Sequence, residues 1–493
     1  VVDHCETVTT RACAEVELTT TPETAPTPRL TTWERALPWS IALIFAALYA
    51  TISVARFERL ATWSFDLGIF EQAIRHYAHL QAPIVDIEGA GVNFLGDHWS
   101  PAIAAFAPFY RLFPTPVTLL VGQAMAVALA VVPITRAGMR HLGSGPGTAI
   151  GLAFGMSYGV QAAVDFDVHE VCLAVPLLAF ALEAFLRRRW AMVAACAAPL
   201  VLVKEDLGLT VAALGVALVL VGARRWGISL AAFGLAAFAI TVEFLMPLFR
   251  NGGGSSRISE LASPSGADGS LLSRLYNLPL DVVTSAPRAT TVILLLAVTA
   301  FLCLRSPIMV LVLPTLAWRF LSTNQNYWGQ AYHYDLVLMP IVFAALVDGV
   351  LRVRRSRWRP LAAYGRAAPA VALVVGLVFC TTTQLAGLVD PATYRPTLRA
   401  EAGGRVASEI PDGATVETDF GVMALLTRRT RVLQMGHAAP LVPDFILIDA
   451  GGRQGPLPPH PVQYAATLHP GATYVLVSGG EGFALMRRLP SPS

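Results

Sequence analysis

Four stretches of this 493-residue chain gather ionisable and aromatic side chains against an otherwise apolar background. The first opens with Phe65-Asp66-Leu67-Gly68 and runs on to Gly96-Asp97-His98-Trp99-Ser100-Pro101. The second is Asp165-Phe166-Asp167-Val168-His169-Glu170, the third Lys204-Glu205-Asp206, and the fourth runs from Tyr327 through Tyr332-His333-Tyr334 to Asp335. A carboxylate at the edge of a membrane bundle can act as general base toward a hydroxyl acceptor. Grouped carboxylates and imidazoles can hold a divalent cation, Mg or Mn, that neutralises a phosphate leaving group. Asp165, Asp167, His169 and Glu170 are the candidate metal set, with four ionisable groups in six residues. Aromatic rings at the same level can pack against a lipid or a sugar face, and they are also ordinary interface anchors.

Each stretch has a plainer reading. Asp66 taken alone reads as a helix cap or a solvated loop acid. Asp97 and His98 can cap a helix beginning near Pro101. Lys204, Glu205 and Asp206 can form an internally paired turn, and Tyr332, His333 and Tyr334 can be interface anchors. The six cysteines include no CxxC pair, so neither a zinc nor a redox motif is supported, and they read as small buried hydrophobes.

The elements that must position these residues are membrane helices. The chain is 55% hydrophobic and only 14% charged, with mean hydropathy +0.56, against about 25% charged residues in a soluble domain. Apolar runs fall near 37–55, 116–135, 147–164, 171–186, 190–203, 207–222, 227–248, 288–304, 307–321, 333–351 and 362–387, which predicts about eleven spans. Arginines cluster at Arg29 and Arg35, Arg136 and Arg140, Arg187 to Arg189, Arg224 and Arg225, Arg305, and Arg352 to Arg359. If each run crosses once, all of these clusters fall on one face, as the positive-inside rule requires of a cytoplasmic face. The four chemical stretches then share the opposite, extracytoplasmic face. Pro101 to Phe113 is too short to span and is predicted as an interfacial or re-entrant helix.

Outside this membrane domain of residues 37–390 lie two further regions. Residues 1–36, rich in Thr, Pro and Glu, are expected to be a disordered cytoplasmic tail. The first outer loop spans 56–100. Residues 391–493 carry short β-rich runs such as Phe445-Ile446-Leu447-Ile448, bounded by Pro, Gly and Asp, and predict a small extracytoplasmic α/β domain. No nucleotide or triad motif occurs, and no basic run is interleaved with aromatics as nucleic-acid binding would require.

In their order and spacing, FDLGIFEQ at 65–72, GDHWSP at 96–101, PFYRLFP at 108–114, FDVHE at 166–170, KEDLGL at 204–209, HYDLVLMP at 333–340 and DFILID at 444–449 resemble the family called domain of unknown function 2079. That family looks related to the membrane glycosyltransferases of the C-type fold (GT-C). The resemblance implies a polytopic α-helical, GT-C-like protein of the plasma membrane that uses a polyprenyl-phosphate-linked sugar as donor and no nucleotide. It implies an extracytoplasmic glycan, lipid or protein acceptor, with membrane lipids as surroundings. It places Asp66 where the superfamily carries its first-loop catalytic acid, with Asp97 the alternative. The likeness to the superfamily is one of layout and carries no donor contact residue by residue. By side-chain type and position, His98, Lys204, Glu205, Asp206, His333 and Tyr334 are the candidate donor-binding residues. Lys204 or His333 would face the donor phosphate, where a cation would stabilise the charge that develops as it leaves. A lipid or solute transporter, or flippase, would instead show an internal repeat and polar groups at mid-membrane. A non-catalytic scaffold would depend on residues 391–493 alone.

Overall fold

A bilayer offers backbone N–H and C=O groups no water, so apolar segments satisfy them internally as helices. In the computed structural model of the protein, which describes residues 31–250, 271–452 and 457–490, the apolar runs are helical. The tail expected at 1–36 lies outside the described residues up to position 30. Its last residues are already structured, because helix α1 (Thr32–Glu58) starts with a capping box between Thr31 and Glu34. Five helices among the described residues are long and apolar enough to cross a membrane: α1, α2 (Pro116–Leu142), α3 (Arg224–Phe249), α4 (His333–Arg354) and α5 (Arg359–Thr382). Val171–Leu186, Trp190–Leu202, Leu207–Leu220 and Pro307–Leu321 are shorter apolar helices.

Two segments depart from the expected spans. The run at 147–164 is not one helix but two, Ser144–Gly155 and Tyr158–Asp165. Side chains bond the carbonyls at the break: Ser157 Oγ donates to Phe154 O at 2.7 Å beside its own N–H, and Gln161 Nε2 donates to Met156 O at 2.7 Å. The run at 288–304 becomes the helix Ala286–Ala297, which meets an unexpected amphipathic helix, Leu271–Thr284, at a 77° bend. Arg274, Pro279 and Asp281 interrupt its apolar sequence and hid it. Residues 101–113 form a 3-10 turn, Pro101–Phe106, and a six-residue helix, Ala107–Leu112, which rises only about 9 Å and cannot cross.

Contacts along the helices define two ends of the bundle. At one end Glu183 is clamped by Arg136 and by Arg140, the latter at 2.7 Å, and Asp348 pairs with Arg352 at 2.8 Å. At the other, Arg56 pairs with Asp165 at 2.7 Å, and Arg319 with Asp335 at 2.5 Å, both fully buried.

The C-terminal region builds a five-stranded sheet on this second end. Strands β1 (Thr415–Thr418), β2 (Arg431–Gln434), β3 (Phe445–Asp449), β4 (Tyr474–Gly480) and β5 (Phe483–Arg488) take the order β2-β1-β3-β5-β4. β1 runs parallel to β2 and β3, with Val416 opposite both Val432 and Phe445, while β5 is antiparallel to β3 and β4. The parallel centre explains why β3 is buried along its whole length.

One helix outside the spans, Phe65–Ala78, joins sheet and bundle. Its buried face shares one core with Val422, Met423, Leu426 and Val432. Gly68 allows the close approach, since a Cβ there would sit 2.8 Å from the Ile87 side chain and 3.4 Å from Met423. Polar bonds complete the seam. Gln72 Nε2 donates to Val432 O at 2.9 Å, Arg431 pairs with Asp86 at 2.6 Å, and the fully buried Glu71 accepts from Tyr110 Oη at 2.8 Å and from Thr427 Oγ1.

Burial pushes the Glu71 carboxyl up to about 7, against the partial pull of Thr427, Tyr110, Arg75 and Arg428. Its folded value lies above the ordinary 4.5, so the folded state binds more protons than the unfolded one between those two values. Stability therefore falls as pH rises through that window and levels off above it. Glu71→Gln keeps an acceptor for Tyr110 and offers a donor to Thr427. The variant is expected to melt independently of pH in this window and to gain on the order of 2–3 kcal/mol at pH 8. Parallel pH profiles of melting temperature for the two proteins would contradict this.

Candidate functional site

Asp66 stands in the first turn of the helix Phe65–Ala78, where a negative charge is favoured by the helix dipole. The turn is set by Ser64, whose backbone is left-handed (φ 66°). Ser64 N–H donates to Asp167 Oδ2 at 2.7 Å, and Ser64 Oγ accepts from Ala424 N–H at 2.8 Å. Membrane loop, helix start and C-terminal domain thus meet at one serine.

In front of Asp66 lies a cavity of about 390 Å³. Eight of the residues singled out by sequence line it: Asp66, Asp97, His98, His169, Glu170, Lys204, His333 and Tyr334. They come from four separate stretches of chain. The remaining four lie elsewhere. Asp165 is spent on Arg56. Asp167 is buried beneath the loop, holding Ser64. Asp206 lines a small adjoining void of about 20 Å³. Glu205 lines neither space. The expected metal set of Asp165, Asp167, His169 and Glu170 therefore does not converge on one point, because each carboxylate is turned to a different partner.

The back wall of the cavity is a stack of rings. His169 and His333 lie face to face with centroids 3.5 Å apart and planes at 22°, and Phe166 stacks beside His169 at 5.2 Å. His169 Nε2 is 3.7 Å from Asp66 Oδ2, an ion-pair distance rather than a hydrogen bond. Burial pushes the His169 imidazole down from its ordinary value, while Asp66 and Glu170 pull it up. Two cationic rings at this separation would repel, which favours neutral imidazoles. For Glu170, burial would raise the carboxyl, but the charge and hydrogen bond of Lys204 at 2.7 Å hold it at about 2. Asp167 moves the other way. Burial and the neighbouring Asp66 raise it well above the usual carboxylate range, against the bond from Ser64.

Several residues that position the cavity were passed over in the sequence. Gln123 lies within an apolar run, yet its Oε1 accepts from His169 N–H at 3.0 Å and its Nε2 donates to Asp167 O at 2.7 Å. Arg319, fully buried, donates to Asp335, to Tyr327 O at 2.8 Å and to Gly329 O at 2.9 Å, so it shapes the loop that presents Tyr327, Tyr332 and Tyr334. Its charge inside an apolar helix was the readable clue. Glu88 was also passed over. Among the described residues, Glu88, Asp97 and His98 are the group whose candidate ligand atoms lie within 4.8 Å of one another.

The family model described as "Predicted membrane protein (DUF2079)" matches residues 56–460. No curated protein matches the chain. Among solved structures, ArnT from Cupriavidus metallidurans bound to undecaprenyl phosphate aligns with TM-score 0.52 and 12% identity, over 93% of this chain and 98% of that one. ArnT from the same organism in the apo state gives TM-score 0.50 and 12% identity, over 85% and 92%. ArnT is a GT-C glycosyltransferase, and the likeness at this identity is one of fold.

Removing Lys204 would leave the Glu170 carboxylate buried beside the cavity without its nearest cation. Lys204→Met is expected to destabilise the protein by about 3–5 kcal/mol, with Glu170→Gln in the same chain recovering most of the loss. Denaturation of the three variants checks this, and additive losses in the double variant would show that the pair is not coupled.

Proposed function

The chain belongs to the DUF2079 family of membrane proteins, and we propose that it is a glycosyltransferase moving a sugar from a polyprenyl-phosphate donor to an extracytoplasmic acceptor. The observation that carries this reading is the convergence of Asp66, Asp97, His98, His169, Lys204 and His333 on one aromatic-lined cavity at one end of a membrane bundle. The GT-C fold shared with ArnT supports it, since that protein was solved with undecaprenyl phosphate. Arginines at the opposite end support a cytoplasmic placement there and for the N-terminus, with the cavity and the C-terminal domain outside.

In this reading the acceptor hydroxyl lies against Asp66. Its oxygen forms the new bond to the anomeric carbon, its proton passes to Asp66, and the bond from that carbon to the phosphate oxygen breaks. The electron pair leaves with the polyprenyl phosphate. Lys204 or His333, both lining the cavity, would give positive charge or a hydrogen bond to that departing phosphate. Asp97 serves as the alternative base. Trp318, Tyr327 and Phe420 offer flat faces for a sugar ring. Two carboxylates and an imidazole, Glu88, Asp97 and His98, suit a divalent cation such as Mg or Mn. A cation held there would supply charge neutralisation to the phosphate.

Purified protein given radiolabelled polyprenyl-phosphate sugars and membrane extract, with and without Mg²⁺ or Mn²⁺, is expected to transfer label. Asp66→Asn should fold normally and lose at least about 100-fold in rate, the scale of general-base catalysis. Unchanged transfer by this variant would remove Asp66 from the mechanism. Absence of turnover by folded wild-type protein across the donor panel would count against the enzyme.

A further inference from the structure

The end of the bundle remote from the cavity carries a second charged site. The helix Val171–Leu186 begins beside Glu170 at the cavity and ends at Arg187, about 24 Å away for 16 residues. There three guanidiniums face one carboxylate. Arg136 and Arg140 bind Glu183 directly, and Arg187 Nη1 stands 3.8 Å from Glu183 Oε1, beyond hydrogen-bond reach. Glu183 is buried, with 4% of its side chain exposed, whereas the arginines keep 24–30%. One buried carboxylate thus faces three guanidiniums, each of which keeps part of its surface exposed.

Polar atoms beside these groups are also unpartnered. Arg136 Nε and His141 Nε2 are buried without a hydrogen-bond partner. Arg188 and Arg189 are exposed on the turn that follows. Burial, and then the crowding of Arg140 and Arg189, pull the Arg187 guanidinium below its ordinary value. Next to this turn the helix Trp190–Leu202 shows apolar surface, with Met192 51% exposed and Trp190 packed on Phe185 at 6.0 Å. Guanidinium forks match phosphate oxygens in a bidentate manner, and basic pockets between spans suit anionic headgroups.

We propose that Arg136, Arg140 and Arg187 form a binding site for the phosphate of an anionic phospholipid, whose acyl chains lie along the exposed face around Met192. The site is independent of the transfer reaction. A free anion would find the same donors but no use for the apolar surface beside them, which is the reason to commit to a lipid.

The test is full-length protein in nanodiscs of phosphatidylcholine with or without phosphatidylglycerol, and in detergent with inorganic phosphate alone. Thermal melting and native mass spectrometry of bound lipid are the readouts. Wild type should melt higher with phosphatidylglycerol and retain the lipid. Arg140→Gln/Arg187→Gln should lose that gain, with affinity falling about fivefold per arginine removed. Arg352→Gln, an exposed arginine at the same end bonded to Asp348, should behave as wild type. If the double variant does not fold, Arg187→Gln decides, because it leaves Glu183 its two nearer arginines. Undiminished phosphatidylglycerol binding by the variants overturns the proposal, as does equal stabilisation by inorganic phosphate.

Discussion

The placement of Asp66 depends on the bonds made by Ser64. Its N–H is held by a carboxylate from the loop between two membrane helices, and its hydroxyl is held by the backbone of the C-terminal domain. A residue in the left-handed region costs about a kcal/mol or more unless its surroundings fix it. Here two separate parts of the chain do so. The first turn of the helix Phe65–Ala78, and Asp66 with it, is aimed by both.

Several charges near the hydrocarbon edge are held in pairs. Asp165 has Arg56, Glu170 has Lys204, Asp335 has Arg319, and Glu183 has its arginines. The pairings separate the acids bound to a cation from those left facing the cavity. Asp66, with 29% of its side chain exposed and its nearest cationic candidate 3.7 Å away, faces the cavity. Asp165 and Asp167, a helical turn or less from His169 in sequence, are consumed in holding the wall. A dense run of ionisable residues thus marked the site without saying which members face it.

The C-terminal sheet belongs to the same site. Phe420, just past the end of β1, lines the cavity and packs on Phe65 with centroids 4.5 Å apart. The carboxyl end of the parallel strands therefore closes the cavity rather than facing away from it, in keeping with where α/β sheets place their functional edges. Glu71, at the buried seam between sheet and bundle, adds a group that titrates near neutrality to this junction.

Hydropathy and arginine placement alone determined that the chain is a membrane bundle with two unlike ends, because lipid forces apolar length and charge asymmetry directly into sequence. The local words around Asp66, His98, His169, Lys204 and His333 were readable for the same reason, as charges in an apolar context. Tertiary structure alone decided which of them meet. Gln123 and Arg319 act through contacts made across the bundle, and Glu88 joins Asp97 and His98 only once the first loop folds back on itself. The break at Met156 and the bend before Ala286 depend on side chains that bond the carbonyls at the break and on a proline in the first turn. Pairing of charges is a property of three-dimensional neighbours, so the division of labour between Asp66 and Asp167 could be written only in the fold.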